Sequence, residues 1–324
     1  MRRARKLIVA LAVGCWCAAA LPAGAQTVGV RAQGMAGAFT GVADDASAVY
    51  WNPAGLASGA YFSGVLDFNA LGTPSGSAFG HDSSATLVSL AMPALGLSYY
   101  RTRSLVRTSR AFPAAAGPSG AGGDVTIGSL VTHQFGATVV QSLWGGLAAG
   151  ATLKLVHGVT STGASATRFD ADLGFMESGS AGQLGVTVRN LLRPSFGGGP
   201  VGMPELFRLN REVRIGGSLH LTDATLLAAD ADLTRNLTTG IARRDAAVGI
   251  EQQVSAKAAV RGGVHWNTRL GAGPSPEEAN IGAAPEASVG ASYAFYGRTS
   301  ADAQITFGSA KGDRGWGVGL RMVF

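Results

Sequence analysis

From about residue 60 to the C-terminus, apolar and polar residues alternate with period two in one segment after another. The last segment is the clearest, with glycines and Arg321 on one face and five apolar residues on the other, namely Trp316, Val318, Leu320, Met322 and Phe324. Successive side chains of a β-strand point to opposite faces, so this period indicates strands with one apolar and one polar face. The chain is therefore expected to be all-β.

Connections rich in glycine, proline and small polar residues separate these segments, and they are alternately long and short. The predicted strands are 60–69, 85–92, 94–102, 125–142, 145–157, 168–177, 182–190, 211–221, 224–235, 243–252, 256–266, 286–296, 299–308 and 315–324. The longer connections are 70–84, 103–124, 158–167, 191–210, 236–242, 267–285 and 309–314. Short turns at one end and long loops at the other are typical of outer-membrane barrels. Residues 59–324 are thus predicted to form a membrane β-barrel of about 14 antiparallel strands.

The composition agrees with a barrel and differs from that of a typical soluble enzyme. Charged residues make up only 14% of the chain, glycine occurs 48 times, and the mean hydropathy is slightly positive. After the N-terminal segment, no apolar run approaches the length of a membrane-spanning helix. A transmembrane barrel spreads its apolar residues in this way, because only alternate residues of each strand face lipid.

Residues 1–25 are predicted to be a secretory signal peptide. A basic stretch at 2–6 precedes an apolar core from Leu7 to Leu21, and Ala23-Gly24-Ala25 is a small-residue cleavage site. A first transmembrane helix and a lipoprotein anchor at Cys15 or Cys17 are the less favoured alternatives. Removing four cations lowers the formal net charge from +6 to +2 (22 Lys and Arg against 20 Asp and Glu), which argues against nucleic acid as a partner.

The segment between the signal and the first strand carries an unusual string, GMAGAF at residues 34–39 followed by VADDASAVYWNPAGL at residues 42–56. Its carboxylates at Asp44 or Asp45 are suited to cap a short helix that begins near Ala46 and ends at Asn52, before Pro53. Residues 26–58 are therefore predicted to form a compact plug, or hatch, ahead of the barrel. The predicted hatch or gate residues are Gly34, Met35, Gly37, Phe39, Asp44, Asp45, Trp51, Asn52, Pro53 and Ala54.

This string resembles the N-terminal signature of the FadL superfamily of outer-membrane transporters, and of the PorV/PorQ barrels of bacterial secretion systems. Segments 184–191, 203–205 and 249–251 look closest in character to the PorV/PorQ family. The resemblance implies a bacterial outer-membrane protein with a hatch inside a fourteen-stranded barrel. The apolar final strand resembles the C-terminal signal read by the barrel assembly machinery, and the expected surroundings of the barrel are outer-membrane lipid.

Charged residues on the polar faces are predicted to meet across neighbouring strands in the lumen. Asp170 and Asp172 are expected between Lys154 and Arg189, and Arg214 is expected opposite Asp230 or Asp232. Asp302 is expected beside Arg321. The predicted lumen charges are Lys154, Asp170, Asp172, Arg189, Arg214, Asp230, Asp232, Arg261 and Arg321, and they are interpreted as stabilising the barrel wall.

The sequence contains no recognisable catalytic or metal-binding motif. It has no G-x-S-x-G, no H-E-x-x-H, no phosphate-binding loop and no paired cysteines after residue 25. His81-Asp82 is an isolated dipeptide in a predicted external loop. We therefore expect no enzyme activity, no cofactor and no metal.

The resemblance implies a passive channel for small hydrophobic molecules, fatty-acid-like in character, gated by the hatch. Ligand would bind apolar residues of the external loops, namely Phe112, Leu192, Phe196, Leu206 and Phe207. A PorV/PorQ-like component that docks or shuttles secreted proteins is one alternative. A structural barrel with a permanently closed lumen is another.

Overall fold

The computed structural model describes residues 28–72, 83–109, 125–161, 163–197, 207–234, 243–269, 285–308 and 314–324. Fourteen antiparallel strands close into one barrel. All strands are numbered along the chain, and β8 (Ser195–Phe196) and β9 (Phe207–Arg208) form a separate two-stranded sheet. The barrel strands are β1 (Ser63–Gly72), β2 (Ser83–Met92), β3 (Leu95–Ser109), β4 (Val125–Ser142), β5 (Leu147–Thr160), β6 (Ser165–Ser178), β7 (Gly182–Arg189), β10 (Glu212–Thr222), β11 (Thr225–Asp232), β12 (Arg243–Ser255), β13 (Ala258–Arg269), β14 (Glu286–Tyr296), β15 (Thr299–Phe307) and β16 (Arg314–Val323).

The barrel closes where the first strand meets the last. Strand β1 pairs with β16 from Ser63 opposite Val323 to Gly72 opposite Arg314, and its other edge pairs with β2. Closure leaves neither of these strands with an open edge, as a sheet in lipid requires. The predicted fold class, an all-β barrel of about fourteen antiparallel strands, is confirmed.

Tight turns lie at the end of the barrel that holds Ser63 and Val323, here called the turn end. They span residues 93–94, 143–146, 179–181, 223–224, 256–257 and 297–298. The opposite ends of the strands define the other end of the barrel, here called the loop end. The predicted long loop at 158–167 is wrong: β5 and β6 continue their pairing to Val159 opposite Ser165, so only residues 161–164 connect them. The predicted loop at 103–124 also begins too early, because β3 pairs with β4 as far as Ser109.

The two faces of the wall differ as the alternation predicts. Large apolar side chains of the strands point outward and are exposed, for example Phe135 at 55%, Leu153 at 70% and Val318 at 51%. Inward positions carry buried polar and charged side chains, among them Lys154 and Asp172. An apolar outer face around a polar lumen is the arrangement of a membrane-spanning barrel. No helix among the described residues is long and apolar enough to cross a membrane.

The hatch lies inside the barrel and includes three short helical segments. They are α1 (Val30–Gly34), α2 (Ala48–Trp51) and a 3-10 helix (Pro53–Ser58). From Val28 to Leu56 every residue is buried except Asp44 and Tyr50, which are half-buried. The predicted helix near residue 46 begins two residues later, because the Asp45 carboxylate accepts the Ser47 N–H at 2.9 Å and holds that turn outside the helix.

Inward-facing glycines of the wall make room for the hatch. A Cβ added at Gly150 would lie 2.5 Å from the carbonyl carbon of Pro53, and one at Gly174 would lie 2.2 Å from the Asn52 side-chain oxygen. Both distances are far shorter than any ordinary contact. The hatch therefore approaches the backbone of β5 and β6 directly, with no side chain between them.

We expect Gly150→Ala to unseat this part of the hatch and to lower the free energy of unfolding by about 1–3 kcal/mol, as overpacking of a core does. Gly262→Ala is the matched control, since its Cβ would meet only the Ser288 carbonyl oxygen at 3.9 Å. Urea unfolding of both variants in lipid vesicles, with limited proteolysis of the hatch, makes the comparison. Equal stability of the two variants would contradict the close approach.

Candidate functional site

A buried cluster of charges joins the hatch to the wall around Arg31. Its guanidinium donates to Asp44 and, at 3.1 Å, to Asp45, both in the hatch. Its Nε and Nη2 each donate at 3.0 Å to the two oxygens of Glu251 on β12. Such a bidentate arginine–carboxylate contact fixes orientation as well as charge. Arg31, Asp44, Asp45 and Glu251 are called the Arg31 cluster below.

The Arg31 cluster continues into three strands of the wall. Glu251 also contacts Arg261 of β13, and Arg261 lies 3.4 Å from the Asp302 carboxylate. Arg321 of β16 lies 3.3 Å from Asp302. Two of the predicted lumen charges, Arg261 and Arg321, thus belong to a network that reaches the hatch.

Asp45 remains ionised in this buried setting. Burial alone raises the pKa of its carboxyl, but the Arg31 and Arg321 cations and hydrogen bonds from Ser47 outweigh burial and hold the pKa below its ordinary value. The nearest Arg321 nitrogen is 3.8 Å from the carboxylate. The charge pairing between hatch and wall therefore persists below the usual aspartate pKa.

The Asn52 side chain joins two parts of the hatch to each other and to strand β6. Its side-chain nitrogen donates to the Thr40 carbonyl at 3.1 Å and to the Phe175 carbonyl at 3.0 Å. Its side-chain oxygen accepts the Ala54 N–H at 3.2 Å, which fixes the start of the 3-10 helix at Pro53. The Asn-Pro-Ala triplet is thus a three-way hydrogen-bonding junction.

Carboxylates of the wall also bind backbone N–H groups of the hatch. Asp230 on β11 accepts from Phe39 at 3.2 Å and from Thr40 at 2.9 Å. Asp67 on β1 accepts from Val30 at 2.8 Å. These contacts attach the hatch to opposite sides of the barrel, since β1 and β11 are far apart in the strand order.

Aromatic side chains form the centre of the hatch. The Trp51 ring packs edge-on against Phe39 and Tyr50, with centroids 6.0 and 5.5 Å away. The guanidinium of Arg189 lies 4.5 Å from the Tyr50 centroid, and that of Arg214 lies 5.7 Å from the Trp51 ring. These predicted lumen arginines therefore contact the hatch as well as their carboxylate partners.

The remaining hatch residues fill the space beside wall glycines. The backbone of Met35 lies against Gly249 and Gly263, and Gly34 approaches Gly290. Gly37 has a φ of 83°, which favours glycine, and it lies beside the Trp51 ring. Pro53 and Ala54 pack against Gly150, as described above.

Across the wall, charges pair in part as the strand order predicts. Lys154 lies 2.9 Å from Asp170 and 2.8 Å from Asp172, and Arg214 lies 2.6 Å from Asp232. Arg189 interacts electrostatically with Asp172, as predicted, and it also pairs at 2.7 Å with Glu212. The register places Glu212 directly opposite Arg189 on β10, so it is the nearer partner.

Sequence reasoning missed three residues that matter here: Arg31, Glu251 and Glu212. Arg31 was detectable in principle, since it is the only cation between residues 28 and 58 and it faces two aspartates of the same segment. Its partner Glu251 is 220 residues away and carried no local signal. Within the described residues, no group of three or more His, Cys, Asp or Glu side chains could hold a metal ion.

Two of the predicted ligand-loop residues come together inside the loop end of the barrel. Phe196 on β8 pairs with Phe207 on β9, and both are buried against inward-facing Leu130 and Val156. We call Leu130, Val156, Phe196 and Phe207 the apolar lumen cluster. Leu192 is 61% exposed and lies outside it. Phe112 and Leu206 lie outside the described residues.

The predicted C-terminal assembly residues all lie on the outer, apolar face of β16 and just after it. Their exposed fractions are 50% for Trp316, 51% for Val318, 45% for Leu320, 40% for Met322 and 56% for Phe324. This placement leaves them available to lipid. Their recognition by the barrel assembly machinery stays a prediction.

The Lys154 group offers a test of how the lumen charges stabilise the wall. We expect Lys154→Met to lower the free energy of unfolding by about 3–5 kcal/mol, because Asp170 and Asp172 then stay buried without their cation. The triple variant that adds Asp170→Asn and Asp172→Asn should recover most of that loss. Lys257→Met, at an exposed turn, is the control. Urea unfolding in vesicles measures all three, and a Lys154→Met variant as stable as the control would refute the assignment.

No protein-family model matches the chain, and no curated protein matches its sequence. Solved structures do share its fold. The monoaromatic hydrocarbon channel CymD aligns with a TM-score of 0.67 at 12% identity, covering 93% of this chain and 99% of that one. The Pseudomonas putida toluene transporter TodX gives 0.62 at 12% identity, with 93% and 99% covered. A Pseudomonas aeruginosa FadL homologue gives 0.61 at 14% identity, with 94% and 99% covered.

At these identities the likeness concerns the fold. It agrees with the expectation raised by the N-terminal string, whereas the resemblance to the PorV/PorQ family stays a prediction. This chain therefore has the fold of the FadL-type outer-membrane channels, as shown by its closed fourteen-stranded barrel, its apolar outer face and the aligned structures.

Proposed function

We propose that the protein is a passive outer-membrane channel for small hydrophobic molecules, with the N-terminal hatch as its gate. The apolar outer face supports a place in a membrane, and the three aligned structures are a hydrocarbon channel, a toluene transporter and a FadL homologue. The loop end would face the exterior, because outer-membrane barrels keep their short turns on the periplasmic side.

The apolar lumen cluster is the observation that carries this proposal. Apolar side chains of the lumen wall such as Leu87, Val140 and Met176 belong to the core cluster that includes the hatch. The loop-end cluster is separate from that core, and there Phe196 and Phe207 cover an inward surface of Leu130 and Val156. A hydrophobic molecule that enters from the loop end would gain about 25 cal/mol for each Å² of apolar surface it buries there. Binding of this kind needs no energy source beyond the concentration gradient.

The hatch lies across the path below this cluster. It contacts β13 to β16 and β1 through α1, β4 to β6 through the 3-10 helix, and β11 through Asp230. Passage therefore requires part of the hatch to shift. The Arg31 cluster is the contact we expect to control that shift, because in the described part of the chain it is the one that joins the hatch to the wall through a bidentate ion pair.

A docking role for secreted proteins is the second candidate, and one observation favours it. Strand β6 runs from Ser165, and its pairing with β7 covers Leu173 to Ser178. One further backbone bond joins the Leu191 N–H to the Ala171 carbonyl at 2.9 Å, so the edge of β6 lies beyond this pairing from Ser165 to about residue 170. Phe169, beyond that pairing, is 76% exposed. An extended segment of another protein could pair along such an edge. Gentle solubilisation separates the candidates: a stoichiometric protein partner favours docking, and a bound hydrophobic molecule favours the channel.

Loosening the hatch should increase transport. We expect Arg31→Met to raise uptake of a fluorescent fatty acid into proteoliposomes at least about tenfold, because the loss of a buried ion pair is worth more than the 1.4 kcal/mol that a tenfold shift requires. Arg298→Gln, an exposed turn residue, is the control. Unchanged uptake by a folded Arg31→Met barrel would argue against hatch gating, and no uptake by either protein would favour a structural barrel.

The apolar lumen cluster should set the apparent affinity for the substrate. We expect Phe196→Ala to raise the half-saturating fatty-acid concentration about tenfold or more, since burial of a phenylalanine side chain is worth about 1.5–3 kcal/mol. Leu192→Ala, on an exposed neighbour, should leave it unchanged. Saturation curves from the same proteoliposomes give the half-saturating concentration of each variant. Equal concentrations for the two variants would contradict the proposed binding surface.

A further inference from the structure

The outer face of the barrel carries a group of basic side chains on β3 to β5. Arg101 pairs across the strands with His133, and His133 pairs with His157, so the three side chains share one level and one face. Arg103 lies two residues further along β3 on the same face. We call Arg101, Arg103, His133 and His157 the cationic row.

The arginines of the cationic row have no anionic partner in the described part of the chain. Neither Arg101 nor Arg103 makes an ion pair or a side-chain hydrogen bond there, and their cross-strand neighbours on β2 are Thr86 and Ser84. The lumen arginines behave differently: Arg189 and Arg214 each contact a carboxylate. The outer surface of β3 thus presents positive charge that the described residues leave unbalanced.

The level directly below, toward the turn end, is apolar and largely aromatic. Tyr99, Phe135, Leu155 and Phe169 pair in turn across β3 to β6. Phe135 is 55% and Phe169 76% exposed, and the Tyr99 and Phe135 centroids are 4.9 Å apart. Aromatic residues on the outer face of such barrels gather at the membrane–water interface. The cationic row therefore lies where lipid headgroups meet the barrel.

In each of the two histidines, the ring nitrogen Nδ1 is hydrogen-bonded to a hydroxyl group of a neighbouring side chain. The Tyr99 hydroxyl lies 2.9 Å from His133 Nδ1, and the Thr167 hydroxyl lies 3.0 Å from His157 Nδ1. When these hydroxyls donate, the proton of each neutral ring resides on Nε2, which becomes a donor. The two ring centroids are 6.4 Å apart, so one anionic group could receive bonds from both.

We propose that the cationic row binds the phosphate of a membrane lipid, whose acyl chains lie along Tyr99, Phe135, Leu155 and Phe169. The inference rests on the membrane placement in the proposed function. Guanidinium groups bind phosphate through paired, charge-assisted hydrogen bonds, and imidazole N–H groups add further donors. The adjoining apolar level selects a phosphorylated lipid over a soluble anion, because it offers the chains a surface that free phosphate does not use.

The test counts bound lipids on the full-length mature protein in detergent micelles by native mass spectrometry. The probes are dioleoyl phosphatidic acid, dioleoylglycerol, which has the same chains without the phosphate, and inorganic phosphate. The variant is Arg101→Gln with Arg103→Gln. The matched control, Lys257→Gln with Arg298→Gln, removes two exposed cations from turns at the opposite end.

We expect the wild-type protein and the control to retain phosphatidic acid at least about tenfold more tightly than the variant, since two charge-assisted hydrogen bonds are lost. Equal retention by the variant, or equal retention of dioleoylglycerol by the wild type, would overturn the inference. Inorganic phosphate that binds as tightly as the lipid would instead assign a soluble-anion site. The heat shift of the barrel on gels verifies folding. Fatty-acid uptake, measured separately, should be normal in the variant, so failure of the lipid site and failure of the channel give different results.

Discussion

Closure of the sheet between β1 and β16 is the constraint on which the rest of the structure depends. A hydrocarbon environment offers no water to strand edges, so the backbone N–H and C=O groups of the wall must bond to one another. Once the sheet closes, every strand has a lumen face and a lipid face. The alternation of side chains then decides what each face presents. The outer face is apolar, and the inner face carries charged and polar side chains together with apolar ones that belong to the core around the hatch.

The enclosed charges create the second requirement, because a buried ion without a partner is costly. The wall meets it by pairing charges across strands, as Lys154 does with Asp170 and Asp172. The hatch supplies partners for several other wall charges. Asp230 and Asp67 receive its backbone N–H groups, and Glu251 receives Arg31. The hatch and the wall are therefore complementary, because each supplies ion-pair or hydrogen-bond partners for buried polar groups of the other.

This complementarity has a consequence for function. The hatch is attached at several points around the lumen, and its closest contacts are backbone against glycine, as at Gly150 and Gly174. Under the proposed gating role, such a plug would open by a local shift in one group of contacts more readily than by leaving the lumen as a unit. The apolar lumen cluster lies on the loop-end side of the hatch, where a hydrophobic molecule would arrive first. The cationic row lies on the outer face of the wall, away from the lumen.

The sequence alone determined the number and order of the strands, the alternation of their faces and the position of the hatch before the barrel, because alternation and turn residues act locally. It did not determine where β3, β5 and β6 end at the loop end, because their cross-strand pairing continues into the predicted loops. It also determined the pairing of Lys154 with Asp170 and Asp172, because adjacent strands in a hairpin have few possible registers. Only the tertiary structure decided that Arg31 meets Glu251 and that Asn52 meets the Phe175 carbonyl. Those contacts join segments more than a hundred residues apart, and they depend on how the whole hatch fits against the glycines of the closed wall.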